Sequence, residues 1–226
     1  MKLNEIKPNT LSRIERFMNK NRLDLGTDFT IRADGKVDVN KNVIITNKSF
    51  IENGKFPFEF GIIDGLISAK DTGIKSLKGF PEKCDRSANL PNNPISSFDG
   101  LDGTQECDIY DFTACLFTDL HNIHKHISKT TSIDLSENKI TEKILGICLI
   151  DGLMFLNGMP SGEHHDMVRK IDYVKGEFVN TNSGEVYTPL QVAFHIVGKH
   201  LGEGKPGLLD AQKELLDWDL DDFAEI

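Results

Sequence analysis

The chain has no apolar run long enough to cross a bilayer. Its most lipid-like stretch, Ile144 to Phe155, carries Asp151 and falls well short of the ~20 residues a spanning helix needs. It reads instead as a buried helix. The first ten residues, MKLNEIKPNT, hold no apolar segment of the signal-peptide kind. Cysteine is sparse: four residues, at 84, 107, 115 and 148, follow no tight ligand spacing. That excludes the common zinc modules and predicts free, mostly buried thiols in a reducing cytoplasm. Tryptophan occurs once, against fourteen phenylalanines, which predicts a core filled by planar rings. Basic charge is in deficit as well. Net charge is –9, and residues 131–226 hold 8 basic against 17 acidic side chains. Simple attraction to phosphate is therefore disfavoured on that part.

What the chain does have is a phrase that nearly recurs. GIKSLKGFP at 73–81, NPISSFDGL at 93–101 and CLFTDLHNI at 115–123 each place two apolar residues three apart. The pairs are Ile74 and Leu77, Ile95 and Phe98, and Phe117 and Leu120. Leu77, Phe98 and Leu120 follow one another at 21 and 22 residues, a period that suits a leucine-rich solenoid of short strands returning over one core.

Around this phrase the pattern changes. Leu11, Ile14 and Phe17 form an apolar stripe that predicts a helix over 10–20, placed to cap the open end of the sheet. Phe29, Ile31, Val37 and Val39 alternate about an Asp34-Gly35 turn, and Val43 to Thr46 reads as another short strand. Residues 82–106, with Pro91, Pro94 and several Gly, read as turns. Ile171–Val174 and Phe178–Val179 suggest a small hairpin. Thr188-Pro189-Leu190-Gln191 carries the signature of a capping box and predicts a helix ending at Gly202. A last helix is expected at about 206–218, with acidic residues at its far end. The expected fold class is thus α/β or α+β: a short irregular leucine-rich-repeat-like solenoid with an N-terminal capping helix and a C-terminal helical region. The expected divisions are 1–22 for the cap, 23–136 for the repeats, and 137–226 for the mainly helical part with its loop and hairpin.

The phrase Ile74-Lys75-Ser76-Leu77-Lys78-Gly79-Phe80-Pro81 resembles the repeat of leucine-rich-repeat-like proteins encoded by large tailed bacteriophages of the T-even type. Ile95 to Gly100 matches it partly and Phe117 to Leu120 loosely. His121-Asn122-Ile123-His124 resembles the segment that closes that array, and Leu208 to Leu215 with Phe223-Ala224 resembles its C-terminal helix. The resemblance implies a phage protein acting in the host cytoplasm, with a binding role and no catalytic residue to carry over.

Clusters with chemical capacity are few. His121, His124 and His126 beside Asp119 offer metal-ligand types, but in no standard spacing, and they read as structural or solvated. His164-His165-Asp166 are neighbours that do not converge easily on one ion. His195 and His200, five apart, need not share a helix face. Cys148 sits in an apolar run and reads as core, not as a nucleophile. The glycine-rich 202–207 segment lacks the spacing of a phosphate loop. No catalytic residue, metal or cofactor is expected. The expected function is non-catalytic protein recognition that inhibits or redirects a host factor. The partner would be a host or phage protein, without direct nucleic-acid or membrane contact. The candidate surface is acidic: Asp99, Asp102, Glu106, Asp108 and Asp111 in one stretch, and Asp217, Asp219, Asp221 and Asp222 in another. Two alternatives are weighed beside it, an acidic nucleic-acid mimic and a metal-dependent hydrolase.

Overall fold

The computed structural model describes residues 8–101, 105–157, 171–174, 177–181 and 183–225. Helix α1 (Pro8–Lys20) buries Ile14 and Phe17 of the predicted stripe together with Met18, while Leu11 is half-buried. The Phe17 ring meets Phe50, Phe58 and Phe60 edge-on at centroid distances of 5.1, 5.3 and 6.1 Å. This geometry is favoured by the ring quadrupole and fixes the helix over the first coils. An antiparallel hairpin of β1 (Phe29–Ile31) and β2 (Val37–Val39) follows.

From there the chain winds as a β-solenoid. Strands β3 (Val43–Ile44), β4 (Phe60–Ile63), β5 (Ile67–Ser68), β6 (Lys83–Asn89) and β7 (Gln105–Asp111) come first. A single-turn helix α2 (Ile123–His126) separates them from β8 (Ile127–Lys129), β9 (Ser132–Asp134) and β10 (Phe155–Asn157). All pair in parallel. Two ladders run side by side. One joins β2, β4 and the first halves of β6 and β7 to β8. The other joins β3, β5 and the second halves of β6 and β7 to β9 and β10. The parallel pairing thus continues past residue 136. Residues 82–106 are not turns throughout, since β6 occupies seven of them.

The register shows what repeats. Val43, Ile67, Ala88, Tyr110, Ile133 and Leu156 pair in sequence, all turned into the core. Two residues on, Ile45, Ala69, Leu90, Phe112 and Leu135 are also buried, and five beyond those Phe50, Ile74, Ile95, Phe117 and Ile140 are buried too. Each large side chain so enclosed contributes ~1.5–3 kcal/mol of transfer free energy. Of the fourteen phenylalanines, only Phe155 stands exposed.

The recurring phrase itself is a tight turn. The amides of Phe80, Leu101 and Ile123 donate to the carbonyls of Leu77, Phe98 and Leu120. The third residue of each turn has positive φ: Gly79 at 90°, Gly100 at 98° and Asn122 at 59°. A type II turn requires this, and it is why glycine recurs there. The backbone of Gly100 also lies against the coil before it, where an added Cβ would fall 2.4 Å from the Lys78 nitrogen.

Between strand and turn, polar side chains stitch one coil to the next. Asn93 is buried. Its Oδ1 accepts from the amides of Thr72, Gly73 and Ile74 at 3.1, 2.9 and 3.0 Å. Its Nδ2 donates to the carbonyls of Ala69, Leu90 and Pro91 at 2.7, 2.9 and 3.3 Å. Asn138 repeats the arrangement, donating to Phe112, Leu135 and Ser136 and accepting from the Phe117 amide. Between them Cys115 occupies the same place, its Sγ 3.5 Å from the Leu90 carbonyl.

Ile144 to Phe155 is not one helix. It makes a short 3-10 turn, Leu145–Leu149, and then reaches β10. Its all-round apolar character reflects packing against α2 and the last helix. A three-stranded antiparallel sheet follows, of β11 (Ile171–Val174), β12 (Glu177–Asn180) and β13 (Val186–Tyr187). Helix α3 (Pro189–Lys199) opens with the expected capping box, Thr188 and Gln191 bonding each other's amides. Helix α4 (Lys205–Asp217) closes in a Schellman motif. The Leu220 amide donates to the Leu215 carbonyl and the Asp219 amide to Leu216, with Asp219 at φ 54°. No described helix is long and apolar enough to cross a membrane.

Candidate recognition surfaces

The outer face of the parallel sheet is built by alternation. Residues between the buried ones point away from the core and fall into rows across the strands. One row is Ile62, Lys83, Glu106 and Lys129, all exposed. A second is Ser87, Ile109, Ser132 and Phe155, in which Ile109 and Phe155 are 46% and 57% exposed. A third runs Ile44, Ser68, Asn89, Asp111, Asp134 and Asn157. Asp111 and Asp134 cap the turns that follow them, accepting from the amides of Thr113 and Ser136. Burial pushes the Asp134 carboxyl up, but bonds from Ser136, Thr113 and Asn157 outweigh it and hold the group below its ordinary value.

The acidic candidates therefore separate. Glu106, Asp108 and Asp111 share β7. Glu106 and Asp108 are exposed beside Lys83 and Lys129, around a 250 Å³ groove. Asp99 sits in a type II turn, with the Ser97 hydroxyl donating to it at 3.0 Å. Asp102 lies outside the described residues. At the far end, Asp217 ends α4, Asp219 follows its cap, and Asp221 and Asp222 open the 3-10 turn Asp221–Phe223. Asp219, Asp221 and Asp222 line one cavity with Trp218, whereas Asp217 does not.

The histidine cluster does not assemble into a ligand set. His126 Nδ1 lies 3.1 Å from the Leu101 carbonyl, and His121 Nε2 lies 2.6 Å from the side chain of Asn122. His124 Nδ1 is buried without a partner, against the backbone at Gly146. Burial there lowers the affinity of His124 for a proton. His164, His165 and Asp166 lie outside the described residues. Cys148 is fully buried, and burial pushes its thiol up to about 12, so it is a poor nucleophile at neutral pH. All four cysteines are free and buried.

One donor group escaped the sequence reading. His200, Glu203 and Asp210 bring an imidazole and two carboxylates within 4.8 Å of one another, where α3 turns into α4. His200 Nε2 also lies 3.2 Å from Glu214, which pairs with Lys199. Burial raises the Glu214 carboxyl, but Lys199 and His200 outweigh it and hold the group below its ordinary value. Glu214 of α4 thus contacts both Lys199 and His200 at the end of α3. Spacing alone could not bring the three together, because the turn reverses the chain between His200 and Asp210.

Comparison of the chain with protein-family models, with curated proteins and with solved structures returns no match.

Proposed function

We propose that this chain is a non-catalytic protein-recognition module built on a leucine-rich-repeat-like solenoid. The repeat reading is supported by the alignment of Ile67-Ala69-Thr72-Ile74, Ala88-Leu90-Asn93-Ile95, Tyr110-Phe112-Cys115-Phe117 and Ile133-Leu135-Asn138-Ile140 in register. Asn or Cys holds the fixed polar place in three of these four coils, which is the place leucine-rich repeats reserve for them. The phrase resembling T-even-type phage proteins supports a phage origin and a host or phage protein as partner, met in the host cytoplasm.

The observation that carries the recognition reading is the outer row in which Ile109 and Phe155, exposed, flank Ser132 on the parallel sheet. They are bordered by Glu106, Asp108, Asp111 and Asp134. Exposed apolar side chains within a polar rim suit a protein interface. The nucleic-acid-mimic reading is less well served on this face. Lys83, Glu106 and Lys129 stand side by side in register, so positive charge interrupts any phosphate-like run.

The test is affinity capture from phage-infected host cells with the natural chain and with an Ile109→Glu/Phe155→Glu variant. Both side chains are exposed, so the variant should keep its thermal unfolding profile. A stoichiometric partner held by the natural chain and lost by the variant supports the reading. Equal capture by both chains removes this face from consideration.

A further inference from the structure

A cavity of about 420 Å³ opens between the three-stranded sheet and the end of α4. Its wall is a contiguous set of rings. Tyr173 and Phe178 have centroids 5.1 Å apart, and Phe178 and Trp218 have centroids 5.9 Å apart. Phe178 is buried, Trp218 is half-buried and Tyr173 is 56% exposed, so the ring faces grade from protein to water. The same cavity is lined by Asp219, Asp221 and Asp222 at the end of α4 and by Glu177 of β12, all exposed. Among the described residues no lysine, arginine or histidine lines this cavity, and none pairs with the three aspartates.

The two kinds of lining constrain the occupant. An anion would meet the like charges of Glu177, Asp219, Asp221 and Asp222. A neutral apolar group would suit the rings but strip water from the carboxylates without replacing it, which is costly. A cation satisfies both, because ring faces attract positive charge through their quadrupole and the carboxylates attract it directly. The cavity also lies within the usual size range of ligand pockets.

We propose that this cavity binds the guanidinium or ammonium group of a basic side chain of a partner protein. The site uses none of the residues on the outer sheet face, and it stands or falls separately from that surface.

Trp218 is the sole tryptophan, so its fluorescence reports occupancy directly in the full chain. The probes are a short peptide with one central arginine and the same peptide with citrulline, the neutral isostere. A saturable change with the arginine peptide is expected, about tenfold weaker with citrulline and in an Asp221→Asn/Asp222→Asn variant. Added salt should weaken it further. A free arginine amide that binds as tightly as the peptide would overturn the partner-protein part of the proposal. Equal response to citrulline, an undiminished response in the variant, or no saturable change would overturn the site. Circular dichroism of the variant checks that its fold is intact. Capture through Ile109 and Phe155 is unaffected by this variant, so the two readings fail independently.

Discussion

The solenoid and the C-terminal helices face the same requirement, pairing every buried backbone polar group, and meet it over different distances. In the solenoid the partner comes from another coil. Asn93 bonds residues 19 to 24 positions away as well as its own turn. In α3 and α4 the partner comes from within a few residues, through the Thr188–Gln191 box and the Schellman turn at Asp219. A defect should therefore spread between coils in the first region and stay local in the second.

Replacing Asn93 by Ala is the most severe way to test this contrast. It leaves the amides of Thr72, Gly73 and Ile74 without their shared acceptor, and a loss of about 4 kcal/mol is expected in denaturant unfolding. Hydrogen exchange should show protection falling in both adjoining coils. If exchange rises only beside residue 93, the coils are less interdependent than the bonding pattern implies.

Gly100→Ala comes next. The new Cβ meets backbone, which cannot swing away, and the φ of 98° suits glycine. The expected cost is about 2–3 kcal/mol, again felt in the preceding coil at Lys78. Thr188→Ala should cost about 1 kcal/mol, with exchange increasing only in the first turn of α3. The smallest effect reverses sign. Asp219→Gly relieves a left-handed residue and removes a carboxylate from the negative end of α4, so a gain of about 0.5–1 kcal/mol is expected in thermal unfolding. A loss instead would mean that the Asp219 side chain supports the end of α4 in a way its backbone geometry does not reveal.

How much of this was readable beforehand depended on where the chain states its requirements locally. The α1 stripe, the Asp34-Gly35 hairpin and the Thr188 capping box are complete within a few residues, and all three form as expected. The recurring phrase was visible because its paired apolar residues three apart return every 21 or 22 positions; that its turn holds glycine or asparagine at one positive-φ position emerged only from the backbone. The more regular frame, from Ala88 through Leu90 and Asn93 to Ile95, was hidden by its own substitutions. Ala, Leu, Phe and Tyr share the inward places, and Thr, Asn and Cys share the polar one. What recurs there is a position in space, which several chemistries can fill.

β6 illustrates the same limit. Lys83–Asn89 has little intrinsic preference for a strand, yet it is extended because β4 and β5 flank it on one side and β7 on the other. The segment from Ile144 misled in the opposite direction. Apolar residues on every side signalled burial correctly, but burial among α2 and α4 does not require a helix. Of the candidate surface, the acidic residues were legible as composition. Ile109, Phe155 and the ring wall beside Trp218 emerge only once register and chain reversal are known.

The unequal spacing of the coils has a further consequence. Successive inward residues advance by 24, 21, 22, 23 and 23 positions, yet each advance gains one interstrand distance, ~4.8 Å. Extra residues are absorbed in the arcs and do not lengthen the molecule. Along its axis the protein is graduated like a ruler. Gain or loss of a whole coil would shift everything beyond it by one division, and smaller insertions would leave the scale unchanged.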